Sequence, residues 1–271
     1  MTTVLLAQVL VSFFVGGSLI TLLSVIAEKT NQHISGIIVM FPTTLVLGFF
    51  FLGLTTNAEN VSSIIPATLI PLGIIIFSSV IYIYCSIFYV SKVKNKLHQI
   101  FCSLLTSIVI WFILASPFAI YKFSDKLIGI IGFLIIITIT HLIFRSKHFE
   151  LNLIRPKYTK KQLFIRALFT GSIVAIVVLL GKTSNPFWAG IFTMFPAATF
   201  STLITLHFYY EPRQLFYFMK SAPLGSISLF IYAISVMVLF PQLGIWVGTL
   251  ISYVISLTFG LLLIKFKMKL M

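Results

Sequence analysis

The chain is 271 residues long, 59% hydrophobic and only 9% charged, whereas a soluble domain carries roughly 25% charged residues. An ordinary soluble enzyme is excluded, because most of this sequence takes lipid as its solvent. The net charge of +14 does not mark a nucleic-acid binder either, since the 19 basic residues sit in short segments between apolar runs and form no single soluble face.

From the N-terminus onward, apolar runs bounded by charged, Pro/Gly or Asn-rich breaks predict nine membrane-spanning helices. They cover residues 4–27, 34–54, 63–90, 99–119, 127–144, 163–181, 187–207, 217–239 and 243–264. The first run begins at Val4 with no basic residue before it and no small-residue cleavage site, so it reads as a retained helix and not as a signal peptide. Lys and Arg accumulate in short cytoplasmic loops. With the N-terminus outside, sixteen of the 19 basic residues fall inside: Lys29; Lys92, Lys94 and Lys96; the seven between Arg145 and Arg166; Arg213 and Lys220; and Lys265, Lys267 and Lys269. Only Lys122, Lys126 and Lys182 fall outside. The expected placement is therefore multi-pass in the cytoplasmic (inner) membrane, N-terminus out and C-terminus in. The least secure crossing is at Tyr121–Lys126, which puts two lysines outside. The basic loop 145–166 faces anionic headgroups, where each such residue adds about 1 kcal/mol of attraction, and so fixes the orientation of the second half of the chain.

The same order of elements occurs twice. Lys29-Thr30 recurs as Lys182-Thr183, Gly36-Ile37 as Gly190-Ile191, Met40-Phe41-Pro42 as Met194-Phe195-Pro196, and Pro71-Leu72-Gly73 as Pro223-Leu224-Gly225, at offsets of 153, 154, 154 and 152 residues. Spans one to four thus correspond to spans six to nine, and span five is left as a linker. An odd number of crossings separates equivalent positions, so the second copy enters the membrane inverted. The predicted fold is an all-α polytopic membrane protein of two inverted four-helix repeats, 1–121 and 163–271, joined by a linker helix and basic loop at 122–162. This plan is similar to that of the drug/metabolite transporter superfamily.

Gly181-Lys182-Thr183-Ser184-Asn185, Ala189-Gly190-Ile191 and Phe195-Pro196, echoed by Lys29-Thr30-Asn31, Ser35-Gly36-Ile37 and Phe41-Pro42, resemble the signature of the small four-span GlpM-like bacterial membrane proteins. The likeness covers about the first 50 residues of each half, roughly a third of the chain. It implies a fused, tandem relative of such proteins and supplies no substrate. Repeat one departs from the pattern with Glu28 in the place of Gly181 and with one residue fewer between its Thr and its Gly.

Pro42 and Pro196 fall inside spans two and seven, where the ring removes a backbone donor and presses on the carbonyl four residues earlier, that of Ile38 or Phe192. A kink is expected at each, with Thr43, Thr44, Thr193 and Thr199 as local partners for the freed carbonyls. Matched breaks in two halves point to a transport site, although packing kinks are common in membrane helices. Gly36 and Gly190, like Gly73 and Gly225, fit close helix packing better than ligand contact. Asn185 or Ser184 followed by Pro186 reads as a helix start. Lys182 and Thr183 beside it, with Lys29 and Thr30 in the other half, would attract an anion, against the plainer reading of lysines snorkelling to headgroups. Gly181-Lys182-Thr183 is not a phosphate-binding loop, because position 176 is Ile and the preceding residues form a spanning helix.

Cys85 and Cys102 lie in apolar runs and read as small hydrophobes. The five histidines and five acids show no metal-ligand spacing, no catalytic constellation and no carboxylate deep in a span. No metal, no cofactor and no enzymatic activity are therefore expected. The reading that results is a secondary transporter or flippase of a small or lipid-linked anionic substrate, with membrane lipid as its other partner. The alternative is a non-transporting scaffold for envelope or polysaccharide assembly.

Overall fold

The computed structural model describes residues 3–29, 37, 38, 40–145, 159–183 and 185–269, which are helical apart from short turns. The helices are α1 (Thr3–Lys29), α2 (Thr43–Thr55), α3 (Ala58–Val90), α4 (Lys96–Ile120), α5 (Lys126–Arg145), α6 (Lys160–Thr183), α7 (Pro186–Thr193), α8 (Ala197–Tyr209), α9 (Leu215–Met219) and α10 (Ala222–Lys269). By length and composition α3, α4, α5, α6, the α7–α8 pair and α10 can each cross a bilayer. At 27 residues α1 is long enough as well, since a helix rises ~1.5 Å per residue. The protein is a multi-pass membrane protein.

Several helices begin on a local cap. Asn57 caps α3 by accepting the Asn60 N–H at 2.7 Å, and Asn95 caps α4 by accepting that of Leu97 at 2.9 Å. The α4–α5 connection, least secure in the sequence, is a tight turn. Phe123 N–H donates to the Phe118 carbonyl and Lys122 N–H to that of Ala119, while Asp125 caps α5 through the Ile128 N–H. Lys122 takes a left-handed conformation there, with φ of 48°. Left-handed backbone costs an L-residue ~1–2 kcal/mol, and glycine gives back ~0.5–1 kcal/mol of that in unfolded-state entropy. Lys122→Gly is therefore expected to stabilise the protein by about 0.5–1 kcal/mol, read as a higher melting temperature in detergent.

The central element is α3, buried along most of its length and packed against α4, α5, α7 and α10. Its hydroxyls bond back to its own carbonyls, as Ser78 does to Ile75 and Ser79 to Ile76, so polar residues enter the core without orphaned groups. Other hydroxyls cross to neighbouring helices: Ser62 donates to the Met237 carbonyl of α10 at 2.6 Å, and Tyr89 is hydrogen-bonded to Thr106 of α4 at 3.2 Å.

The most extensive helix pair is α1 with α6. Leu5 of α1 shares an apolar cluster with Val174 and Val178, while Gly17 lies against Ala167 and Gly171, so the two helices run antiparallel. A Cβ on Gly17 would stand 2.5 Å from the Ala167 carbonyl oxygen, and one on Gly171 would stand 2.5 Å from that of Phe13. Phe13 and Ala167, like Gly17 and Gly171, are 154 residues apart. The contact is thus reciprocal, residue for residue, as across a two-fold axis.

The expected spans 4–27, 63–90, 99–119, 127–144 and 163–181 each fall within one helix. The other four differ. Spans 217–239 and 243–264 part at Gly244, a non-helical break between the two stretches of α10 in a conformation (φ 72°, ψ 179°) that no other residue type adopts readily, and the first of them begins in α9 and is interrupted before Ala222. Spans 34–54 and 187–207 were expected to kink at their prolines; the chain breaks there outright and starts new helices, α2 and α8.

Candidate functional site

The two breaks share one construction. In the first, Met40 N–H donates to Ile37, Phe41 to Ile38, Thr43 to Phe41 and Val46 to Pro42. In the second, Met194 N–H donates to Ile191, Phe195 to Phe192, Ala197 to Phe195 and Phe200 to Pro196. All four bonds recur at an offset of 154 residues. The Ile38 and Phe192 carbonyls, expected to need threonine partners, are satisfied by these tight turns. Proline then acts as the residue that opens the next helix: Pro42 and Pro196 occupy the N-cap positions of α2 and α8, each 13 residues long and each without a side-chain cap.

Both new helices begin at one cavity of about 20 Å³. Eight of its eleven walls come in pairs, Phe41 with Phe195, Thr44 with Ala198, Leu45 with Thr199, and Ile75 of α3 with Leu229 of α10, while Met40, Pro196 and Ala197 line it without their counterparts. Each pair is again separated by 154 residues. A volume of that size holds about one water, so the helices around it pack closely. Chemically, the place is apolar except for two threonines and the leading turns of two helices. Those turns present backbone N–H groups and the positive ends of two dipoles, an arrangement that favours an anion.

Among the residues singled out from sequence, Thr193 joins the breaks. It is buried, donates to the Ala189 carbonyl at 2.9 Å and faces Gly48 of α2, where any side chain would collide with it. Thr43 is buried at the start of α2. Asn185 caps α7, accepting the Phe187 N–H at 3.0 Å, with Pro186 at the first helical position. Gly190 lets α7 approach Ile64 and Thr68 of α3, and Gly225 lets α10 approach the Ile37 backbone, but Gly73 faces Ile136 of α5. The Pro71/Pro223 pair also diverges: Pro71 lies within α3, whereas Pro223 is in the first turn of α10.

Thr30 and Gly36 lie outside the described residues, as do the side chains of Lys29, Lys182 and Thr183. In the backbone, Lys182 sits in the last turn of α6, and the eight residues of α7 stand between it and the second break. At ~1.5 Å per residue, α7 alone spans about 12 Å. The lysine thus stands beside the start of α7, where the sequence placed it, and a full length of α7 away from the second break.

Ser228, Tyr232 and Ser256 are among the span hydroxyls that the sequence offers either for a polar path or for bonds between adjacent helices; the Tyr82–His207 pair was not foreseen. Ser228 of α10 donates to the Gly225 carbonyl at 2.7 Å and lies 3.4 Å from that of Met40, at the first break, while Ser256 donates to the Ser228 carbonyl at 2.6 Å. Tyr82 of α3 and His207 of α8 are buried and hydrogen-bonded to each other at 3.2 Å. Tyr232, one turn beyond Leu229 on α10, stacks on Phe49 of α2 with 6.4 Å between ring centres, and its buried hydroxyl has no partner among the described residues. The repeat of Gly17-Ser18 as Gly171-Ser172, again at 154 residues, was a signal for the α1–α6 contact; nothing local marks Tyr82 and His207 as partners.

A family model described as "Protein of unknown function (DUF3147)" matches residues 9–126, which takes in most of α1, all of α2, α3 and α4, and the first residue of α5. No curated protein and no solved structure matches the chain.

Proposed function

We propose that the protein is a secondary transporter or flippase for a small or lipid-linked anionic substrate, working by alternating access. Two inverted four-helix repeats, 1–121 and 163–271, rock against each other about the Pro42 and Pro196 breaks, with 122–162 as the connecting helix and loop. The reading is carried by one observation: the uncapped N-termini of α2 and α8 meet at a single cavity, eight of whose eleven walls are paired at a constant offset of 154 residues. Broken helices that aim their amino ends at a shared site between repeats are how transporters of this type hold anions. The reciprocal, antiparallel Gly17–Gly171 contact supports the inversion. The family match, which covers α1 to α4, supports the first repeat as a unit. The fused-relative reading of the GlpM likeness belongs to the same proposal, as does placement in the cytoplasmic membrane with the N-terminus outside, which tag accessibility at both ends tests.

The deciding experiment is uptake or flipping in reconstituted vesicles against a panel of inorganic, carboxylate and lipid-phosphate anions. An Ala198→Ile variant overfills the cavity. Such overpacking costs about 1–3 kcal/mol, so the protein is expected to remain folded while transport falls at least about tenfold, a change of ~1.4 kcal/mol at the barrier. No transport of any panel member by the wild type, or full transport by Ala198→Ile, defeats the proposal. The tightness of the cavity favours a second reading, a non-transporting scaffold for envelope or polysaccharide assembly, which predicts that same silence.

A further inference from the structure

We infer that the protein holds an anionic phospholipid in a lateral groove between α4, α6 and α8, at a site separate from the proline breaks and independent of any transport. The groove has a volume of about 390 Å³ and is walled by Leu104 of α4, Ile165 and Phe169 of α6, and Ile204 and Phe208 of α8, with Ser201 and Thr205 at its back. That is within the ~300–1,000 Å³ of small-ligand sites and almost wholly apolar. It opens sideways, since Ile165 and Phe208 are 54% and 39% exposed. In a multi-pass membrane protein such an opening faces acyl chains, which cannot leave so large an apolar hollow empty.

Charge decides which lipid it is. The ends of all three helices nearest the groove are basic. Lys96 opens α4, two turns before Leu104; Lys160 and Lys161 open α6, one turn before Ile165; and Arg213 follows α8, five residues beyond Phe208. These four side chains are exposed, and Lys96 is close enough to His207 to act on it electrostatically, which places the start of α4 beside the end of α8. Two of the three helices also point their amino ends, with free N–H groups, in this direction. Glu211, beside Arg213, is the acid at that end among the described residues. A chain lying in the groove therefore carries its headgroup to within one or two turns of several cations, where a phosphate without a compensating ammonium is favoured. Zwitterionic lipid fits the hollow equally well but gains less at its mouth.

The test uses the full chain, purified after exposure to an equal mixture of phosphatidylglycerol and phosphatidylcholine, with retained lipid counted by native mass spectrometry. Wild-type protein is expected to keep phosphatidylglycerol over phosphatidylcholine by about tenfold or more. The Lys96→Gln/Lys160→Gln/Lys161→Gln variant is expected to lose that preference, and Ile204→Trp, which fills the groove, to lose retained lipid of both kinds. Lys122→Gln/Lys126→Gln, at the far end of α4, is expected to behave as wild type. Thr205→Phe serves as the groove-filling variant if Ile204→Trp is not monodisperse. Absence of a preference in the wild type, its persistence in the triple variant, or lipid retention by a folded groove-filled variant overturns the inference.

Discussion

Gly171→Val is expected to destabilise the protein by about 3 kcal/mol, at the upper end of what overpacking costs, and Gly17→Val by the same amount. The reason is the identity of the neighbour. At each position a Cβ would stand 2.5 Å from a carbonyl oxygen on the opposite helix, that of Phe13 or of Ala167. Backbone cannot rotate aside as a side chain can, so α1 and α6 must separate along their length. In lipid no hydrophobic force restores them, since acyl chains solvate leucine as well as a neighbouring helix does; close packing is what such a pair loses. Gly16→Val is a useful contrast. There the obstacles are Val174 Cγ2 at 2.8 Å and Cβ at 3.0 Å, in a stiff β-branched side chain with no backbone atom among the contacts. The helices must therefore part by a few tenths of an ångström less, and the cost should be somewhat smaller. The double variant Gly17→Val/Gly171→Val decides whether the contact is truly one feature. Once either valine has parted the helices, the second adds little, and the double should fall well short of the sum of the singles. Additive melting shifts in detergent would show two unrelated glycines and remove the mirrored contact from the case for inverted repeats.

That contact also marks how far the sequence could be read. Helices, their ends and their breaks depend on neighbours in the chain, and these were legible: Asn185 before Pro186 is a cap wherever it occurs, and a run such as 127–144 is too long and apolar for anything but a spanning helix. Less legible was the depth of the proline effect. A ring inside a helix permits either a bend or a stop, and the tight turns at Ile38–Phe41 and Phe192–Phe195 resolve both breaks as stops. Which faces are buried was not legible at all. In a soluble protein apolar periodicity reports the core, but lipid and protein interior are equally apolar. Ile64 and Ile65 are sealed inside the bundle while Ile131 and Leu134 of α5 are about half exposed, and their sequence surroundings look alike. The same holds for the polar contacts that position the site. Tyr82 meets His207 across 125 residues and Ser62 meets Met237 across 175, pairings set by the packing of whole helices.

Tyr232→Phe is expected to raise the melting temperature and lower transport together, an unusual pairing with a definite cause. The Tyr232 hydroxyl is fully buried, one turn from the closed cavity, and has no hydrogen-bond partner among the described residues. An orphaned group of this kind costs about 1–3 kcal/mol, and the cost falls on the closed conformation alone if water enters the cavity when the halves part. Deleting the hydroxyl keeps the stack on Phe49, which is 6.4 Å away between ring centres, and removes the penalty. The closed state then gains on the open one by roughly a factor of 5–150, the same 1–3 kcal/mol written as a population ratio. Turnover limited by opening should fall within that range. The comparison that isolates this effect is Phe49→Leu, which loosens the stack and leaves the hydroxyl, so it should lower the melting temperature without the selective gain of the closed form. If Tyr232→Phe stabilises the protein and transport stays at the wild-type rate, the hydroxyl is a packing defect, and opening of the cavity beside it has no part in turnover.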